Sequence, residues 1–98
     1  MNTYETLTLN DGTEVKLTLT FARLLRVKNE NKNLYEKCND ILMNGAKDIF
    51  QMIDFIYAAY MCANLDYFIA YEEFIELVPF DLRKLAQVSD NLMTSKKK

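Results

Sequence analysis

Nine consecutive residues near the middle of the chain, 55–63, include no charged side chain. They belong to a stripe of apolar positions with helical spacing that begins after Asp48, a good N-cap, and runs to about Asn64. A helix that is apolar on every side has no face to offer to water. The sequence therefore predicts a central helix that is either surrounded by the rest of the chain or covered by a partner.

The N-terminal segment, residues 4–19, has the pattern of a β-hairpin. Apolar and polar residues alternate on both sides of Asn10-Asp11-Gly12, and an Asx-Gly turn between alternating segments is a strong hairpin signal. An isolated two-stranded hairpin is marginally stable, so its apolar face is expected to pack on helices. The predicted buried face carries Leu7, Leu9, Val15, Leu17 and Leu19, and the predicted solvent face carries Thr8, Glu14, Lys16 and Thr18.

Helical spacing and helix terminators predict four further helices. One starts after Thr20, a second runs over 33–43 before Asn44-Gly45, a third is ended by Pro79, and the last is capped by Asp81. The apolar set of this last helix is Leu82, Leu85, Ala86, Ser89, Leu92 and Met93. The expected fold is mainly α (α+β). A single domain spans 1–95, with the hairpin packed on a bundle of about five short helices over about 20–94, and residues 96–98 form a basic tail.

The residue types needed for catalysis are scarce. The 98 residues include no histidine, which removes the commonest general base and the commonest metal ligand. Cys38 and Cys62 fall in predicted helices without metal-ligand spacing and are expected to be buried thiols. No catalytic residue, metal site or cofactor is predicted, and the chain is not expected to be an enzyme. The rival hypothesis is a hydrolase or transferase built on Glu72 and Glu76, but one acidic helix face is more typical of solvated surface.

Charge is distributed unevenly along the chain. Residues 48–82 contain no lysine or arginine but hold seven of the acids and nine of the twelve aromatic residues. Such a segment repels phosphate, so nucleic acid is not the expected partner. The alternative is a small DNA-binding regulator encoded by a mobile element, with a basic patch on two consecutive helices formed by Arg23, Arg26, Lys28, Lys32 and Lys37.

The chain is expected to remain in the cytoplasm. It has no uninterrupted apolar run of about 18 residues that would predict a membrane span. Its first five residues form neither a basic leader nor an apolar run, which argues against a secretory signal.

Several short strings resemble one known family: LTLNDGTEV at 7–15, TFARLL at 20–25, YAAY at 57–60, YEEF at 71–74 and PFDL at 79–82. Together they resemble the tail assembly chaperones of long-tailed bacteriophages and prophages of low-GC Gram-positive hosts. The resemblance implies a protein that binds the tape measure protein and keeps it soluble while the tail tube polymerises. Such a protein is absent from the finished virion.

The resemblance also bears on the C-terminus. Members of this family are often made in two lengths, the longer by a programmed ribosomal frameshift, and a longer form could contact the tail tube protein. Consecutive lysine codons can be slippery, so Lys96-Lys97-Lys98 is compatible with such a site. A solubilising basic tail explains the same residues equally well.

The contact residues are predicted from physical chemistry, because the resemblance supplies no invariant set. Tyrosine and methionine suit adaptable binding surfaces, which favours the apolar half of the central helix and the connection after it. The predicted client-binding residues are Phe55, Tyr60, Met61, Tyr67 and Phe68. A strip of small residues lets a neighbouring helix approach closely, so a homo-oligomer contact is predicted at Ala58, Ala59, Cys62 and Ala63.

Overall fold

The computed structural model describes residues 4–94. Two strands, β1 (Glu5–Thr8) and β2 (Glu14–Leu17), are followed by five helices within the described residues. These are α1 (Phe21–Glu30), α2 (Lys32–Asn44), α3 (Ile49–Ala63), α4 (Tyr71–Leu77) and α5 (Leu82–Thr94). The predicted mainly α fold with an N-terminal hairpin is confirmed. The basic tail at 96–98 lies outside the described residues.

The hairpin forms around the predicted turn. Leu7 lies opposite Val15, and Gly12 adopts φ 89°, the left-handed conformation that the turn requires. The Asp11 carboxylate accepts a hydrogen bond from the backbone N–H of Thr13 at 2.9 Å. Thr18 was predicted to face water, and this is wrong: it is buried, because its backbone N–H donates to the Ala59 carbonyl at 3.1 Å and draws the end of β2 against α3.

Helix α3 is the centre of the fold. Strand β2 and helices α1, α2, α4 and α5 all contact it. Every residue from 55 to 62 is buried. Of the two possibilities left by the sequence, the first is therefore correct, since the chain itself surrounds its uncharged helix.

Side-chain caps fix where the helices begin. Thr20, Asp48 and Asp81 each accept a hydrogen bond from a backbone N–H three residues later, as predicted for N-caps. Asn31 does the same for α2, so the second helix begins at Lys32 rather than at residue 33. Asn31 also ends α1, which leaves a single residue between the two helices.

The apolar pattern of α5 is wider than the face it buries. Leu85, Val88, Ser89 and Leu92 are buried. Leu82, Ala86 and Met93, which were predicted to belong to the same face, are exposed. The helix is therefore rotated so that part of its apolar stripe lies outside the core.

Candidate protein-binding surface

Three of the predicted client-binding residues lie in the core. Phe55, Tyr60 and Met61 are buried inside the folded chain, so none of them presents the open face that was expected to meet a client. Phe55 and Tyr60 each border a concave surface described below. The hydroxyl of Tyr60 accepts a hydrogen bond from the Ile69 backbone N–H at 3.0 Å. The hydroxyl of Tyr57 donates to the Ile69 carbonyl at 2.7 Å. The Tyr60 hydroxyl, which was expected to meet a partner, instead holds the α3–α4 connection together with the Tyr57 hydroxyl.

The other two predicted client-binding residues lie in the α3–α4 connection. Tyr67 is 76% exposed, the most accessible tyrosine in the described part of the chain. Phe68 is half-buried and packs against the core. Of the five, only Tyr67 offers most of its ring to a partner.

The small-residue strip is covered by the chain's own elements. Ala58, Ala59 and Cys62 are fully buried and Ala63 is half-buried, so an oligomer contact through the strip is wrong for the three buried residues. The Cys62 carbonyl accepts a hydrogen bond from Nη1 of Arg23 at 2.7 Å. The physical reason for the prediction was sound, because small side chains do allow close approach. The elements that approach are α1 and the end of β2 of the same molecule.

Both thiols should be inert in the native protein. Burial raises the pKa of Cys38 to about 11, and burial with nearby Cys38 raises the pKa of Cys62 to about 12. At pH 8 this higher pKa lowers the thiolate fraction of Cys38 roughly a hundredfold. We expect almost no reaction of the folded protein with a thiol-specific chromogenic disulfide, and both thiols to react after denaturant is added. Rapid native labelling would contradict their burial.

An apolar groove lies between α5 and the region where α2 passes into α3. It has a volume of about 300 Å³. We call it the α3–α5 groove, and its apolar lining consists of Ile41, Ala46, Met52, Phe55, Ala86 and Met93. Ala86 and Met93 are two of the three predicted apolar-face residues of α5 that the core leaves uncovered. Their exposure therefore creates one wall of a concave apolar surface.

One polar atom in the α3–α5 groove has no partner. The Ser89 side chain is 8% exposed, and its hydroxyl oxygen finds no hydrogen-bond partner within residues 4–94. A buried hydroxyl without a partner costs free energy, on the order of 1–3 kcal/mol. Ser89 lines the groove, but its hydroxyl oxygen has almost no accessible surface, so a bound group would reach this oxygen only after the side chain rotates. Sequence reasoning placed Ser89 on the buried face of α5 but did not identify it as part of a site.

Further large apolar side chains are exposed outside the groove. Phe21 is the extreme case, with 94% of its side chain accessible. Isolated surface apolar residues are normal, but this domain leaves several rings and methionines in water. The members that are more than half exposed are Phe21, Leu25, Met43, Phe50, Tyr67 and Phe80.

The basic residues of α1 and α2 are partly engaged within the fold. The guanidinium of Arg23 bonds the Cys62 carbonyl, and the ammonium of Lys28 lies 5.3 Å from the centre of the Tyr35 ring. The two helices are joined by Asn31 alone, whereas DNA-binding helix-turn-helix motifs use a turn of about three to four residues. These contacts give the DNA-binding alternative no additional support.

The acidic residues of α4 lie on its exposed side. Glu72, Glu73 and Glu76 are all exposed. The nearby phenol of Tyr71 is half-buried and donates to the Asp54 carboxylate at 2.6 Å. Burial and that hydrogen bond raise the pKa of Tyr71 well above its usual value. Among residues 4–94, no group of three or more acidic or cysteine side chains is arranged to hold a metal ion.

No helix in the described part of the chain combines the length and apolar character needed to cross a membrane. Comparison of the chain with protein-family models, with curated proteins and with solved structures gives no match. Function must therefore be argued from the residues and their geometry.

Proposed function

We propose that the protein is a phage tail assembly chaperone. It would bind the tape measure protein directly and reversibly, without ATP, and keep it soluble while the tail tube polymerises. Its place of action would be the cytoplasm of the bacterial host, and it would not remain in the mature virion. A longer frameshifted form that contacts the tail tube protein belongs to the same proposal.

The observation that carries the proposal is the α3–α5 groove. A groove between helices, lined by apolar side chains, suits the apolar face of an amphipathic helix. Two methionines, Met52 and Met93, line this groove, and methionine side chains repack easily around different apolar partners. A long helical client with many similar segments would meet these requirements.

Self-association is also part of the proposal, although not through the small-residue strip. That strip is buried, so a contact between copies would have to use exposed side chains such as Phe21 or Phe50. Such a contact would shelter apolar surface until a client arrives.

Co-expression with the tape measure protein tests the proposed function. We expect the wild-type chain to keep that protein in the soluble fraction and to co-purify with it. Ala86→Arg should reduce the co-purified amount at least tenfold, because it places a charge in the apolar groove. Gln87→Arg is the matched control, since it adds the same charge at an exposed position of the same helix outside the groove lining. Equal loss in both variants, or no co-purification of the wild type, would contradict the proposal.

Binding to duplex DNA tests the alternative. Salt-dependent retention of the wild-type chain on duplex DNA, lost on replacing Arg26 and Lys32, would favour the mobile-element regulator. Both residues are exposed, so their replacement should not affect the fold.

A further inference from the structure

A second concave surface lies beside strand β2, along the edge that faces away from β1. This cleft between β2 and the α3–α4 connection has a volume of about 460 Å³ and is here called the hairpin cleft. Its apolar lining includes Val15, Tyr60, Ile69 and Leu77. None of these residues lines the α3–α5 groove. The two concave surfaces are therefore distinct.

The edge of β2 that borders the hairpin cleft is open. Leu9 donates its backbone N–H to the Thr13 carbonyl at 2.8 Å, and Leu7 pairs with Val15. Because hydrogen-bonded pairs alternate with non-hydrogen-bonded pairs in an antiparallel ladder, the backbone groups of Glu14 and Lys16 point away from β1. The Lys16 carbonyl accordingly accepts a hydrogen bond from the Asn64 side chain at 3.1 Å. Within residues 4–94, the backbone N–H of Lys16 and both backbone groups of Glu14 have no hydrogen-bond partner.

Hydrogen bonds at both ends limit the length of this open edge. Asn64 bonds the Lys16 carbonyl at one end, and at the turn Asn10 donates its backbone N–H to the Leu77 carbonyl at 2.7 Å. The free stretch covers residues 14–16, which is roughly 10 Å of strand at about 3.3 Å per residue. An occupant that pairs with this edge would therefore use about three extended residues.

The polar residues of the cleft select the charge of the occupant. Three carboxylates line it, from Asp11, Glu14 and Glu73, against one ammonium from Lys16. Hydrogen bonds from the backbone and side chain of Thr13 lower the pKa of Asp11, so this carboxylate is ionised at neutral pH. The exposed ring of Tyr67 adds an aromatic face, to which a guanidinium group is attracted.

We propose that the hairpin cleft binds a short extended peptide segment with basic side chains, supplied by a partner protein, which adds to β2 as a third strand. Backbone pairing with Glu14 and Lys16 would supply affinity. The carboxylates and Tyr67 would select lysine or arginine. This binding mode differs from helix capture in the α3–α5 groove and does not depend on it.

The test uses an acetylated and amidated pentapeptide of alternating arginine and valine, titrated into the isotope-labelled full chain. In the NMR spectrum, the largest shifts and the strongest slowing of hydrogen exchange are expected at the Glu14 and Lys16 amides. A peptide methylated on the backbone nitrogens that face the edge, and a peptide with glutamate in place of arginine, should each bind at least tenfold more weakly. Equal binding of the methylated peptide, or shifts confined to the α3–α5 groove, would overturn the proposal.

Two variants of α4 test the charge selection. Glu73→Lys should weaken binding of the arginine peptide about tenfold, because it reverses one of the three carboxylates. Glu76→Lys, a change at another exposed position of the same helix outside the cleft lining, should leave binding unchanged. The same loss of peptide binding in both variants would mean that only the overall charge of the protein matters. That result would overturn the proposed binding site. Ala86→Arg should retain peptide binding, so failure of the proposed chaperone function would be separable from failure of this inference.

Discussion

Replacing Ala59 with arginine is expected to leave the chain unfolded. Ala59 is 0% exposed at the centre of the fold, and its carbonyl accepts the Thr18 hydrogen bond that ties the hairpin to α3. Arginine would bring a large side chain into a filled space and a charge into apolar surroundings without a partner. The combined cost of several kcal/mol is comparable with the whole stability of a typical domain, about 5–15 kcal/mol. Circular dichroism during heating should therefore show no cooperative transition.

Ala22→Arg provides the control for this experiment. Ala22 is exposed on α1, so the same substitution there should leave the melting temperature nearly unchanged. An Ala59→Arg protein that melts like the wild type but loses a dimer or larger oligomer would contradict the buried position of α3. That result would instead restore the oligomer contact expected from the sequence.

Local signals in the sequence were sufficient to predict most of the fold. The turn at Asn10-Asp11-Gly12 and the caps at Thr20, Asp48 and Asp81 depend on interactions between residues close in the chain. Such interactions can be read from spacing and residue type alone. Thr18 could not be placed in this way, because its burial depends on a carbonyl 41 residues away, at Ala59.

The candidate site could not be predicted for the same reason. An all-apolar helix such as α3 can be covered by its own chain or by a partner, and the pattern is identical in both cases. The prediction for Phe55 and Met61 assumed a partner, whereas five neighbouring elements of the same chain cover this helix. The α3–α5 groove depends on the rotation of α5 about its axis, which leaves Ala86 and Met93 outside the core.

The most exposed ring, that of Phe21, has a simpler physical explanation. It is the first residue of α1, directly after the Thr20 cap. Side chains in a helix lean towards its N-terminus, so a side chain at the first position projects beyond the end of the helix. Helical spacing alone groups Phe21 with Leu24, yet in the fold Val27 is the only buried residue of α1.

Replacing Phe74 with alanine is expected to cost about 3–5 kcal/mol of folding free energy, the usual range for a buried phenylalanine. Phe74 is 0% exposed, and its ring centre lies 5.0 Å from that of Tyr60 and 5.1 Å from that of Tyr57. It is also the only buried residue of α4, whose seven residues are too few to form a stable helix alone. Urea denaturation should show a large fall in the transition midpoint. Hydrogen exchange should show early opening of Tyr71–Leu77.

Ile75→Ala is the matched control, because Ile75 is exposed on the same helix and should lose less than about 1 kcal/mol. Equal losses in the two variants would contradict the anchoring role of Phe74. The same pair of variants also separates the two concave surfaces. Helix α4 supplies Glu73 and Leu77 to the hairpin cleft but no residue to the lining of the α3–α5 groove. Under conditions where Phe74→Ala remains folded, loosening of α4 should therefore weaken binding of the arginine peptide more than binding of a helical client.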